Sequence, residues 1–264
     1  MPELDDFKSS VALVVSSCDA FFDAWRPFHA FFEKFWGDCP LEIFLLTNEL
    51  EVRSSRLRGI AVGEDRGWSS NLFFALERIT HPYVLYFQED YFLTAPVERV
   101  QLARDFAEAM ETGADSLCFR ARSKFDPGFQ PLNERYGIVP LDSQGRTRCQ
   151  VTLWKRSALQ SILREGETAW NFEARGSDRT QDMRILSYGS RENTPIRYLM
   201  SAISRGLWMP EAIELCRSQG VTIDPFFRPV FPARSWQRRL RRAFGRTRLR
   251  RALAAQKNQP IVLQ

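Results

Sequence analysis

Tyr83-Val84-Leu85-Tyr86-Phe87-Gln88-Glu89-Asp90-Tyr91-Phe92-Leu93 is the stretch on which the fold turns. Five residues suited to a buried strand run directly into two adjacent carboxylates. A carboxylate beside an apolar core needs a metal, a cation or a hydrogen-bonding ligand to offset its desolvation. In an open α/β sheet the ligand crevice lies outside the carboxyl ends of the strands, which is where Glu89 and Asp90 would fall. The alternative is a polar strand end carrying two solvated acids.

Working outward, the same grammar repeats. Val11-Ala-Leu-Val-Val15 reads as a buried first strand, followed by the loop Ser16-Ser17-Cys18-Asp19. Trp25, Phe28, Phe32, Phe35 and Trp36 recur at helical spacing, with Pro27 expected near the first turn. Leu41–Leu46 gives a second strand ending at Thr47-Asn48, and Gly59–Val62 a short third. Ser69 or Ser70 is expected to cap a helix with Leu72, Ala75, Leu76 and Ile79 on one stripe. After the strand at 83–88 come a helix from about Pro96 and a strand at Ser116–Phe119. Strands buried on both faces and alternating with helices predict an α/β fold with a mostly parallel, Rossmann-type sheet flanked by helices.

Beyond residue 120 the pattern loosens. Residues 121–148 are rich in Arg, Pro, Gly and Asp and read as a long loop or irregular insertion. Gln150–Trp154 is a strand leading to a helix at Ser157–Leu163. Another helix is expected at 177–187. Tyr198–Trp208 has strand composition, and Pro210–Gln219 is a helix stopped by Gly220.

Composition narrows the function classes. The net charge of +5 comes from one end: Arg234 to Gln264 holds ten Lys or Arg and no acid. Residues 1–233 are left with 27 basic against 32 acidic side chains, so the body is mildly acidic and the basic pI says nothing of nucleic-acid binding by the fold. The expected organisation is a domain at 1–233 and a basic amphipathic or disordered tail at 234–264. In that tail Trp236, Leu240 and Phe244 share one helical face while Leu249 and Leu253 fall nearly opposite, so Gly245 is expected to separate two short helices. An acid-free segment of this kind suits an anionic membrane surface.

No apolar run approaches the roughly 20 residues of a membrane span. The acidic start Met1-Pro-Glu-Leu-Asp-Asp lacks the features of a signal peptide. Five scattered cysteines without a Cys-x-x-Cys pair suit reduced thiols, and the expected location is cytoplasmic, with the tail on the inner face of the membrane. Two histidines leave little for a His-rich metal centre, and no Gly-x-x-x-x-Gly-Lys occurs, which argues against a nucleotide kinase.

Several separated blocks carry a resemblance. They are Ser17-Cys18-Asp19 with Trp25-Arg-Pro-Phe28 and Phe35-Trp36; Gly63-Glu-Asp-Arg-Gly-Trp68-Ser69; Gln88-Glu-Asp-Tyr-Phe-Leu93; and Leu153-Trp154 with Glu167-Thr-Ala-Trp-Asn-Phe-Glu173. In this order they resemble a bacterial glycosyltransferase-like family with the GT-A fold, over roughly residues 11–225. The resemblance implies a nucleotide-sugar donor, and a glycan or lipid-linked acceptor. It also implies a divalent metal, Mn²⁺ or Mg²⁺, held by an Asp-x-Asp motif and offsetting charge on the departing diphosphate. Here the corresponding residues are Gln88-Glu89-Asp90, so the first Asp is absent. Asp90 is the expected ligand, with Glu89 as second ligand or donor-orienting residue.

Other residues have two readings each. Cys18-Asp19 and Asn48 are expected nucleotide contacts, or turn residues. Trp68 and Ser69 are expected donor contacts at a helix start, or a capped helix with a packed Trp. Trp170 could stack on a sugar ring, and Arg175 could meet a diphosphate. Glu173, with Glu167 in reserve, is the expected base of an inverting transfer; otherwise it is an acid at a helix N-terminus. The leading function is sugar transfer from a nucleotide-sugar; the alternative is a non-catalytic nucleotide- or sugar-binding protein of the same fold.

Overall fold

The computed structural model describes residues 1–122, 129–190, 193–232, 235–257 and 259–264, without the side chains of 235–239. In chain order the first elements are β1 (Val11–Ser16), α1 (Phe22–Trp36), β2 (Glu42–Thr47), β3 (Val52–Ser54), β4 (Leu57–Ala61), α2 (Trp68–Arg78), β5 (Tyr83–Gln88), β6 (Phe92–Leu93), α3 (Arg99–Glu111) and β7 (Ser116–Cys118). There follow β8 (Gln130–Pro131), β9 (Tyr136–Ile138), β10 (Thr152–Lys155), α4 (Arg156–Ile162), α5 (Ala169–Arg175), β11 (Ile185–Tyr188), β12 (Tyr198–Leu199), β13 (Ile203–Ser204), β14 (Leu207–Trp208), α6 (Pro210–Ser218), α7 (Ser235–Gln256) and β15 (Ile261–Leu263).

Nine strands form one sheet in the order β4-β2-β1-β5-β10-β7-β11-β9-β8. β4, β2, β1 and β5 run parallel, and β10 is inserted antiparallel between β5 and β7. The chain is therefore a mixed α/β protein with a large, mostly parallel central sheet flanked by helices, as its alternating pattern predicts.

The strands show why unbroken apolar runs were required. Val11, Leu13 and Val15 of β1 pack on one face with Trp25, Phe28, Phe32 and Phe106 of α1 and α3. Ala12 and Val14 pack on the other with Leu72, Ala75, Leu76, Leu159 and Ile162 of α2 and α4. β5 divides likewise, with Leu85 and Phe87 on the first face and Val84 and Tyr86 on the second. A strand covered on both sides needs apolar residues at every position, not every second one.

Four local expectations change. Pro27 is the sixth residue of α1 and lies inside the helix rather than in its first turn. The N-cap of α2 is Gly67, not Ser69 or Ser70. Residues 177–187 do not form a helix. A 3₁₀ turn at Gly176–Arg179 is followed by β11. In place of a helical ladder, the buried guanidinium of Arg146 holds the carbonyls of Thr180 (2.9 Å), Met183 (2.8 Å), Pro140 (2.8 Å) and Val139 around it. Two of these carbonyls also close short turns, Thr180 accepting from the Met183 amide (3.1 Å) and Pro140 from the Ser143 amide (3.2 Å). Finally, β8 and β9 add an edge to the sheet from within 121–148, a segment read as a loop; residues 123–128 lie outside those described.

The largest difference concerns residues 234–264. They were expected to form a basic amphipathic or disordered tail, yet residues 235–257 and 259–264 pack on the body. α7 runs unbroken through Gly245, and β15 pairs in parallel with β3. Ile261 and Leu263 are buried, Leu253 packs against the core, and Lys257 pairs with Glu49. Gly245 permits the approach, because a Cβ there would lie 2.6 Å from Cδ of Pro229. The divided apolar pattern follows from this docking: Leu249 and Leu253 face the body, and Leu240 and Phe244 face solvent.

Candidate functional site

A cleft of about 850 Å³ opens at the carboxyl ends of β1 and β5. Its walls come from Ser16–Cys18 at the end of β1, Gln88–Tyr91 at the end of β5, Asp65, Gly67 and Trp68 at the start of α2, Gly145 and Thr147–Gln150, and Ala169, Trp170 and Glu173 of α5. Ile203, Arg205 and Gly206 of the β13–β14 hairpin and Arg242 of α7 close the remaining side.

Glu89 and Asp90 are both buried there. Burial pushes Glu89 well above the usual carboxylate range, helped by the adjacent Asp90 charge. Burial pushes Asp90 up to about 7. Oδ2 of Asp90 accepts from the Ile203 amide (3.2 Å), and its main-chain oxygen accepts from the Ala202 amide (3.0 Å). Oδ1 of Asp90 is buried with no hydrogen-bond partner among the described residues. Such an orphaned oxygen is costly unless something binds it. Among the described residues no group of three or more His, Cys, Asp or Glu could hold a metal. A divalent ion here would draw only the Glu89 and Asp90 carboxylates from the chain, and phosphate or water oxygens would have to supply its other ligands.

Glu173 projects from α5, which begins at Thr168, whose side chain caps the Asn171 amide (3.2 Å). Its Oε1 accepts from the Cys149 amide (2.9 Å) and from Nε2 of Gln150 (2.8 Å). Oε2 takes no hydrogen bond among the described residues and is available to the cleft. Trp170, one turn earlier on the same helix, is 77% exposed although it is a large aromatic lining the cleft. Trp68 is held differently. Its indole donates to the Tyr86 hydroxyl (3.0 Å), which also accepts from Gln88 Nε2 (3.0 Å), and its ring packs on Phe172. Cys18 reaches the cleft as a neutral thiol, since burial, seconded by Glu89, pushes it up to about 12.

Of the residues named from sequence, Cys18, Trp68, Glu89, Asp90, Trp170 and Glu173 come together in the cleft. Five do not line it, each for a visible reason. Asp19 accepts from the amides of Asn48 (2.7 Å), Glu49 (2.8 Å) and Leu50 (3.0 Å), while Asn48 Oδ1 accepts from the Asp19 amide (3.0 Å). The two residues lock the ends of β1 and β2 to each other. Ser69 bonds the Arg164 carbonyl and the Glu167 amide, tying α2 to the loop before α5. Glu167 is gripped by Arg179 at 2.8 and 3.1 Å and cannot serve as a free base. Arg175 is exposed outside the cleft.

Sequence reasoning missed the cations of the cleft: Arg120, Arg148, Arg205 and Arg242. Only one signal pointed toward them. Arg242 shares a helical face with Gly245, Leu249 and Leu253, the face that turned out to pack inward.

No family model matches the chain, and no curated protein does. Among solved structures it is similar to residues 1–349 of S. aureus TarS, with 13% identity and a TM-score of 0.47 over 79% of this chain. The chain spans 64% of the length of that structure. It is similar also to a CMP:2-keto-3-deoxy-manno-octonic acid synthetase complexed with CTP, with 13% identity and a TM-score of 0.42, covering 80% of this chain and 98% of the other. A UDP-glucose pyrophosphorylase complexed with UDP-glucose has 8% identity and a TM-score of 0.40, over 69% and 90% of the two chains.

Proposed function

We propose that this protein transfers a sugar from a nucleotide-sugar donor to a hydroxyl acceptor in the cleft at the ends of β1 and β5. The observation carrying this reading is the pairing on α5 of a solvent-facing Trp170 with Glu173, whose Oε2 is unengaged among the described residues, in the same cleft as the buried strand-end carboxylates. Trp faces suit sugar rings, and a fixed carboxylate suits proton removal from an attacking hydroxyl.

In the step proposed, Glu173 takes the acceptor hydroxyl proton as the oxygen bonds to the anomeric carbon. The bond from that carbon to the phosphate oxygen breaks, and its electron pair leaves with the nucleoside diphosphate. The Cys149 amide and Gln150 orient Glu173 by holding Oε1, which leaves Oε2 as the proton acceptor. Cys18, at the end of β1, would contact the nucleotide. Glu89 and Asp90 would hold a Mn²⁺ or Mg²⁺ ion, which supplies charge neutralisation at the diphosphate when bound. A purified sample assayed for donor hydrolysis, with and without Mn²⁺, tests the reading. Donor binding without any cleavage in the presence of acceptors would instead favour a binding protein, the reading suggested by Gln88 standing where an acidic ligand was expected and bonding Tyr86.

The outward face of α7 supports a lipid-linked acceptor. Leu240 and Phe244 are 54% and 64% exposed, with Arg241 and Arg251 exposed beside them. Apolar side chains flanked by cations match an anionic membrane surface. No helix among the described residues is long and apolar enough to cross a membrane. Because α7 and β15 are part of the packed body, the test is Leu240→Asp with Phe244→Asp in the full chain. The wild type should sediment with anionic vesicles, less so at high salt, and the double variant should not. Equal sedimentation would remove the membrane from the proposal.

A further inference from the structure

Arg205 and Arg242, from distant parts of the chain, line the same two spaces: the main cleft, and a smaller cavity of about 100 Å³ that Arg246 also borders. Neither Arg205 nor Arg242 has a hydrogen-bond or ion-pair partner among the described residues. The neighbouring buried cation cannot substitute for them. Arg228 is engaged by both oxygens of Asp23 (3.0 and 2.9 Å), donates to the Ala20 carbonyl (2.7 Å) and stacks on Phe21.

The local backbone is built to present this pair. Arg205 has φ 53°, the only positive value outside glycine among the described residues, and Gly206 follows at φ 76°. Two successive left-handed residues make the tight turn between β13 and β14, a turn that Asn or Gly adopts with less strain than Arg. The hairpin is tied to the strand-end carboxylates, since Asp90 accepts from the Ile203 amide two residues before Arg205. Arg242 precedes Gly245 by three positions, so both lie on the face of α7 that packs against Pro229 and the body. A basic residue on that inward face is directed at the cleft rather than at solvent.

We infer that Arg205 and Arg242 form a diphosphate clamp, holding the two phosphates of the donor through charge-assisted hydrogen bonds from one hairpin and from the C-terminal helix. Guanidinium groups present paired donors that match phosphate oxygens, and two of them offset the charge of a diphosphate without requiring a metal. This assignment rests on the nucleotide-sugar reading for the identity of the ligand, but not for the chemistry of the pair. It makes the basic segment a wall of the binding site.

The test is calorimetric titration of inorganic pyrophosphate into the full-length chain in the presence of EDTA. Wild type is compared with Arg205→Gly, which suits the left-handed turn, Arg242→Ala, and Arg248→Ala, a residue of α7 that stacks on Phe226 outside the cleft. Wild type should bind. Arg205→Gly and Arg242→Ala should each weaken binding at least about tenfold, and Arg248→Ala should stay within about twofold. If Arg242→Ala lowers the thermal midpoint, Arg242→Gln replaces it. Nucleoside diphosphates (UDP, CDP, ADP, GDP) are then tested for displacement of pyrophosphate from wild type, and at least one should succeed. The clamp is overturned if wild type does not bind pyrophosphate, if both cleft variants bind it like wild type, or if no nucleoside diphosphate displaces it. Failure of the transfer reading looks different: pyrophosphate binding would be lost in the two variants as expected while wild type cleaves no donor.

Discussion

Two arginine-rich regions of this protein sit a few residues from the same cleft and behave in opposite ways. Around Arg146, every nitrogen is engaged: Nε by Thr180 Oγ1 (2.8 Å), the other two by four carbonyls of residues 139–183. Around Arg205 and Arg242, no donor is engaged within the described residues, and both side chains border open space. The first region uses an arginine as a structural hub that replaces secondary structure where the chain has none. The second keeps its arginines unsatisfied, a state that is tolerable only beside solvent or a ligand. The same contrast separates Glu167, gripped by Arg179, from Glu173, whose second oxygen is unengaged. Saturation of hydrogen-bonding capacity, more than residue type, divides scaffold from candidate site.

Changes on the two sides should therefore be read out by different measurements. The largest effect is expected at Glu173. Glu173→Gln keeps the shape and removes the base, so transfer should fall by roughly 10²–10⁴-fold with donor affinity and thermal midpoint little changed. A loss of stability instead of activity would place Glu173 with the scaffold and break the comparison.

Arg146→Met should do the reverse. It leaves the carbonyls of Val139 and Met183 without a donor and takes one from those of Thr180 and Pro140, and it should cost about 3 kcal/mol in a urea unfolding experiment. A stability within 0.5 kcal/mol of wild type would show that the segment 176–183 does not depend on its hub.

A pH test sharpens the scaffold side. Asp105 is buried, accepting from Arg135 Nε (2.9 Å) and the Tyr188 hydroxyl, and burial pushes it up to about 6. A carboxyl that holds its proton more tightly when folded contributes stability that is full below about pH 4. That contribution is lost as pH rises through about 6. Asp105→Asn should therefore flatten the fall in stability across that window by on the order of 2 kcal/mol. Parallel pH profiles for the two proteins would show that Arg135 already keeps Asp105 ionised.

The smallest effect is expected where the comparison is most pointed. Arg242→Ala removes a side chain with no described partner, so its unfolding free energy should stay within about 0.5 kcal/mol of wild type. A loss of several kcal/mol would reveal a structural role for Arg242 and place it with Arg146.

Much of the fold was legible because short-range physics wrote it into the chain. Unbroken apolar runs at 11–15, 43–46 and 83–87 suit strands covered on both faces, and the helical stripes between them supply the cover. The adjacency of Glu89 and Asp90 to such a strand likewise follows from local spacing, whereas the helical turn that sets Trp170 beside Glu173 does not, the helix having been expected at 177–187. Other outcomes depend on partners distant in sequence. Glu167 and Glu173 are equally acidic on paper, and only the position of Arg179 engages one of them. Asp19 and Asn48 carry good ligand chemistry, but the meeting of the β1 and β2 ends turns that chemistry inward. The basic segment gave no local sign that Ile261 would pair with Val52 or that Gly245 would let α7 settle on Pro229. Charge and periodicity were determined by the sequence alone. Which charges are neutralised, and which are left facing the cleft, was decided by tertiary structure, because a hydrogen bond is satisfied by proximity in space and not by order along the chain.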